Sequence, residues 1–159
     1  MTHLIVPVLL LAVGIAAEPD GPFKVGTATF SCPELDSTDP YIEVFYPLDS
    51  PEVKVPLISF AHGLKEGGTG SDGLVAKFAG LLSEIASYGF VVAATRSCDQ
   101  GCAGPDRASL LFSPAGFGNF YFEQIRTIEC AKALAATSPV FNMTDFERVG
   151  IAGRECVVN

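Results

Sequence analysis

Three short apolar runs constrain this chain most: Leu57-Ile-Ser-Phe-Ala61, Phe90-Val-Val-Ala-Ala94 and Val149-Gly-Ile-Ala152. A strand with one wet face alternates apolar and polar residues. Runs with little or no alternation belong to strands covered on both faces, as in a parallel sheet. The segments between the runs have helical period. Leu74, Val75, Phe78, Leu81, Leu82 and Ile85 recur three or four apart, behind Ser71 or Asp72 as a cap, and Gly89 stands just past the end. Residues 119–136 predict a second helix, with Phe122, Ile125, Ile128 and Leu134 on one face. Strand, helix, strand, helix, strand predicts an α/β fold with right-handed crossovers. Val25–Phe30 and Tyr41–Tyr46 read as two more strands, split by the turn cluster 36–40. With no helix between them, they predict an antiparallel hairpin at the sheet edge.

The chain has 159 residues, enough for one compact domain. Its net charge of −8 argues against nucleic acid as a partner, since phosphate binding needs surplus Lys and Arg. Leu4–Ala17 is an apolar stretch of fourteen residues, short of the roughly twenty that a spanning helix needs. With small residues at 14–17 and the helix breaker Glu18-Pro-Asp-Gly-Pro22, residues 1–17 read as a secretory signal peptide, without a transmembrane segment. Residues 18–159 then form the domain of a secreted protein.

Export places the five cysteines, Cys32, Cys98, Cys102, Cys130 and Cys156, in an oxidising compartment. The odd count leaves at least one unpaired within the chain. Cys98 and Cys102 share a Gly- and Pro-containing loop and could bridge locally. No further Cys or His lies at ligand spacing, so no metal or other cofactor is expected. Asn142-Met-Thr144 is an N-glycosylation acceptor triplet.

Two constellations could carry chemistry. Phe60-Ala-His62-Gly63-Leu64 puts a His-Gly pair at the carboxyl end of a buried strand, where ligands of open α/β sheets gather. The glycine lets the chain turn so that the Leu64 amide faces the crevice, placed to stabilise an oxyanion. A plain strand-to-loop turn with a hydrogen-bonded His is the ordinary alternative. The second constellation is Arg148-Val-Gly-Ile-Ala-Gly153, a strand entering a Gly-bounded turn, followed by Arg154, Glu155 and Cys156. Gly67-Gly-Thr-Gly70 lacks the Lys-Ser/Thr ending of a phosphate loop and reads as flexible chain. Phe112, Phe117, Phe120, Tyr121 and Phe122 read as core and helix start, or alternatively as the apolar wall of a substrate crevice.

In Val55–Leu64, Leu82–Ala93 and Arg148–Gly153 the chain resembles the α/β-hydrolase superfamily. It is most similar to the secreted esterase branch of chlorophyllases, platelet-activating-factor acetylhydrolases and cutinase-like enzymes. The resemblance covers about residues 23–153 and implies the amino-terminal half of that fold. The expected architecture is an incomplete α/β-hydrolase sandwich, mostly parallel, with an antiparallel amino-terminal hairpin, ending at the nucleophile strand. It implies hydrolysis of a small-molecule or lipid carboxylic ester at serine. Leu64 would donate one oxyanion amide. Gly153 would be the first glycine of the Gly-x-Ser-x-Gly elbow, Glu155 would occupy the nucleophile position, and Cys156 would supply the second oxyanion amide. The family's acid and His follow the nucleophile, but here no His follows position 62. These residues by themselves are therefore expected to be inactive, as a truncated hydrolase domain or, alternatively, a non-catalytic pseudoenzyme or binding fragment. Glu155 as a base and Cys156 as a displaced nucleophile are the weaker alternatives. Without a following strand, 149–152 is expected to be an exposed apolar edge through which copies self-associate.

Overall fold

The computed structural model describes residues 21–35, 40–50, 54–61, 74–96 and 119–153. Five strands form one sheet: β1 (Val25–Ser31), β2 (Tyr41–Pro47), β3 (Val55–Ala61), β4 (Val91–Arg96) and β5 (Thr144–Gly153). Three helices accompany them: α1 (Leu74–Ser87), α2 (Asn119–Leu134) and the single turn α3 (Pro139–Asn142). The strand order is β1-β2-β4-β3-β5. β2 pairs antiparallel with both β1 and β4, while β3 pairs parallel with β4 and β5. The fold is thus α/β, with the antiparallel hairpin at its amino-terminal edge and the parallel part formed by the three apolar runs.

Side-chain alternation along each strand feeds two cores, one per sheet face. On one face Ile42, Val44, Val55, Leu57, Val91 and Ala93 pack with Cys130 and Ala131 of α2 and with Val140 and Phe141 of α3. On the other, Phe45, Phe60, Val92 and Ala94 pack with Leu82 and Ala86 of α1, and the Phe60 and Phe78 rings lie 5.3 Å apart. This two-sided burial explains why β3 and β4 carry little alternation. α1 ends where expected. Gly89 has φ +94°, a left-handed conformation that costs other residues about 1–2 kcal/mol, and its amide closes on the Ala86 carbonyl. The spacing placed Leu81 on the apolar face of this helix, yet it is half exposed at the flank of the α1–sheet contact.

β5 departs from its sequence outline. It begins at Thr144, five residues ahead of the apolar run. Thr144 and Asp145 pair with Val55 and Pro56, after which the register jumps so that Val149 meets Leu57. Residues 146–148 form the irregularity. Asp145 accepts from Arg148 Nε (2.7 Å) and from the Glu147 amide (2.9 Å), and Arg148 also donates to the Lys54 carbonyl (2.8 Å). Asp-Phe-Glu-Arg carries no strand pattern because its polar groups bond to one another and to Lys54. Just ahead of it, α3 starts with Ser138 as cap and Pro139 in the first turn, and buries Phe141 against Phe30, ring centroids 4.8 Å apart.

The described disulfide joins Cys32, just after β1, to Cys130 of α2, with Cα atoms 6.0 Å apart. The Cys98–Cys102 pair, which could bridge locally by its spacing, lies outside the described residues. Among the described residues β5 lies at the end of the strand order, beside β3. Val149 and Ile151 are exposed on it, Ile151 to 63%.

Candidate functional site

The parallel strands end together. In the β3–β5 register Ala61 stands beside Gly153, the last residue of each strand. The approach is close: a Cβ on Gly153 would lie 3.1 Å from the Ala61 carbonyl oxygen and 3.4 Å from its Cβ. Glycine is therefore favoured here by close approach rather than by φ. The residue after Ala61 is His62 and the residue after Gly153 is Arg154, so β3 and β5 pass the chain on from adjoining ends. His62, Gly63, Leu64, Glu155 and Cys156 themselves lie outside the described residues, as do Phe112 and Phe117.

Beneath this pole the α2-side face changes character. Along β3 its positions run Val55, Leu57, Ser59; along β4 they run Val91, Ala93, Thr95. All six are buried, and only the two nearest the carboxyl ends are polar. α2 runs back against the strands with a matching gradient: Glu123, Gln124 and Thr127 are buried near its start, and Cys130 and Ala131 further along. Each polar group has a partner, as burial demands. Ser59 Oγ bonds Gln124 Oε1, and Gln124 Nε2 donates to the Ala152 carbonyl at 3.0 Å. The Thr95 and Thr127 hydroxyls bond each other, and Thr127 Oγ1 also donates to the Glu123 carbonyl at 2.8 Å. The buried Glu123 carboxylate meets the half-exposed Arg126 guanidinium at 2.6 Å, so its charge is compensated at the protein surface.

Sequence reading missed this layer. Ile125 was placed on the apolar face of α2, but it is 41% exposed and the hydrogen-bonded polar residues take the sheet side. The one available signal was Ser59 interrupting an otherwise apolar run.

Asn142 lies at the opposite pole, where β3 and β5 begin. Its side chain is exposed, its carbonyl accepts from Lys54 Nζ, and Thr144 of the same triplet is buried with its hydroxyl on the Val140 carbonyl (3.0 Å). Among the described residues, the cluster with metal-ligand proximity is Cys32, Glu34 and Cys130, whose ligand atoms lie within 4.8 Å of one another. Two of the three sulfur and oxygen donors are joined in the disulfide, which removes them as thiolate ligands. No described helix is long and apolar enough to cross a membrane.

No known protein-family profile matches the chain, and no curated protein matches it in sequence. Among solved structures the chain is similar to a Klebsiella pneumoniae protein assigned as a dienelactone hydrolase, with a TM-score of 0.46 and 14% identity. The similarity covers 82% of this chain and 50% of that one, so the chain spans about half that protein's length. At this score the likeness is one of chain trace alone and carries nothing about chemistry.

Proposed function

We propose that the chain carries the oxyanion-side half of a carboxylic ester hydrolase of the α/β-hydrolase superfamily, of the secreted esterase branch. The observation that supports this reading is the juxtaposition of Ala61 and Gly153. In this reading the His-Gly-Leu segment and the elbow-like turn begin from these two adjoining strand ends. Acyl transfer at serine needs that neighbourhood. A hydroxyl attacks the ester carbonyl as a histidine base takes its proton, to be returned to the leaving alcohol, and the oxyanion that forms takes two amide hydrogen bonds, one from each segment. Leu64 would supply the first amide and the residue at 156 the second. The tetrahedral species then expels the alcohol, and water releases the acid from the acyl-enzyme. The substrate is a small-molecule or lipid ester. Secretion fits the Cys32–Cys130 bridge, which persists in an oxidising compartment, and the exposed Asn142 is the glycan acceptor.

These 159 residues on their own hold Glu155 at the nucleophile position, and their two histidines are at positions 3 and 62. A serine, its acid and a histidine base are not together among them, so we assign them no turnover by themselves. The same observation supports the second reading, a non-catalytic binding fragment. Two measurements separate the readings. Transcripts sequenced across the Gly153 codon should include a form that encodes Ser two positions later; its absence sinks the hydrolase reading. The purified chain should neither hydrolyse p-nitrophenyl esters nor react with a fluorophosphonate, and labelling at any residue would refute the assignment of inactivity.

A further inference from the structure

We infer that a glycan reaches Asn142 only before α3 and β5 have formed, and that the folded domain is no longer an acceptor. Both statements rest on the proposed role of Asn142 as acceptor in a secreted chain. Transfer joins the Asn142 Nδ2 to the anomeric carbon of a lipid-pyrophosphate-linked oligosaccharide. The bond from that carbon to the pyrophosphate oxygen breaks, the amide nitrogen gives up one proton, and the lipid pyrophosphate leaves with it. The acceptor triplet fixes Asn at its first position and a hydroxyl at its third, while the second is nearly free. The transferase must therefore meet the carboxamide and the hydroxyl together, on one side of the chain. An extended backbone supplies that, because side chains two apart share a face. A helical turn does not, because there they point to nearly opposite sides.

The folded triplet takes the second form. Met143, between the two, is helical, with φ −79° and ψ −5°. Asn142 is exposed, whereas Thr144 is only 2% exposed and donates its hydroxyl to the Val140 carbonyl at 3.0 Å. The backbone is committed as well. The Asn142 amide donates to the Ser138 carbonyl at 2.8 Å and the Met143 amide to the Pro139 carbonyl at 3.1 Å, while the Met143 carbonyl accepts from the Val55 amide at 2.8 Å. Straightening 142–144 therefore unwinds α3, lifts Thr144 from its pairing with Val55 and draws out the fully buried Phe141. At roughly fivefold per hydrogen bond, these four bonds alone hold the open form on the order of a thousandfold below the closed one. A glycan already on Asn142 points to solvent and leaves each of these bonds in place. The fold thus excludes the reaction but accepts its product, and occupancy is set by a race between transfer and closure of the triplet.

The test offers a purified oligosaccharyltransferase and its lipid-linked donor two acceptors. One is the oxidised full chain, its fold verified by circular dichroism; the other is the peptide 138–148, which lacks the sheet that holds the triplet closed. Mass spectrometry reads the rates. The peptide should be modified, and the folded chain at least about a hundredfold more slowly. Ser138→Ala removes the hydroxyl that caps α3 at the Phe141 amide, and should speed modification of the folded chain about fivefold without changing that of the matching peptide. Equal rates for peptide and folded chain overturn the inference and leave Asn142 an acceptor. An unmodified peptide removes the acceptor and the inference with it. Neither result touches the ester hydrolase reading, which transcripts and fluorophosphonate labelling decide.

Discussion

Reducing the Cys32–Cys130 bridge should destabilise this domain severely. The bridge closes a loop of 98 residues, from the end of the β1 edge strand to the middle of α2. Cross-linking that separation removes chain entropy from the unfolded state worth about 4.7 kcal/mol at room temperature, against about 3 kcal/mol for a loop of roughly fifteen residues. Single domains are stable by only about 5–15 kcal/mol, so the bridge carries a third or more of the total. Cys32 is fully buried and Cys130 nearly so, and the apolar groups around them (Leu35, Ile42 and Ala131) stay in place on reduction. The loss should therefore come almost wholly from the unfolded state. The assay is urea unfolding of the purified chain with Cys98, Cys102 and Cys156 replaced by serine, oxidised and reduced. At a slope of about 2 kcal/mol/M, the midpoint should fall by roughly 2 M on reduction. In a thermal scan the same loss is about 10–20 °C. Coincident midpoints would refute the reasoning, as would rapid labelling of Cys32 by a thiol reagent in the oxidised native chain.

Other substitutions probe the strand ends and turns. Gly153→Ala should cost about 1–3 kcal/mol, because its Cβ would press on the Ala61 backbone, which cannot rotate away as a side chain could; the urea midpoint measures it. Gly89→Ala should cost about 1–2 kcal/mol through its positive φ, with a further clash at the Phe23 ring 3.3 Å away, and differential scanning calorimetry reads the shift. Phe141→Ala empties a fully buried site against Phe30 and should cost about 3–5 kcal/mol by the same scan. The Asp145 carboxyl is held below its ordinary range, chiefly by the hydrogen bond from Arg148 and next by the Glu147 amide. A depressed folded-state value contributes stability above the ordinary carboxylate range, lost as pH falls through the folded value. Asp145→Asn should therefore lower stability slightly at neutral pH and not in strong acid, and equal effects at both pH values would count against the brace.

The layered α/β plan was legible in the sequence because it rests on periodicity, a local property. Unbroken apolar runs of strand length mean burial on both faces, and i, i+3, i+4 recurrences mean a helix with one covered side. Gly89 was legible for the same reason, since a helix end needs its own residue type. The candidate site was half legible: His62-Gly63-Leu64 and Gly153 stand out as residue types at strand ends, but that Ala61 ends beside Gly153 follows from β3 pairing with β5 across some ninety positions of chain. The irregularity at 146–148, the Cys32–Cys130 bridge and the Ser59–Gln124–Ala152 hydrogen bonds were decided only in the tertiary structure. A buried serine or glutamine is unfavourable until its partner arrives, and a cysteine's partner is set by where helix and hairpin meet. Hydropathy along the chain records what each residue avoids; which distant group satisfies it is written only in the packed fold.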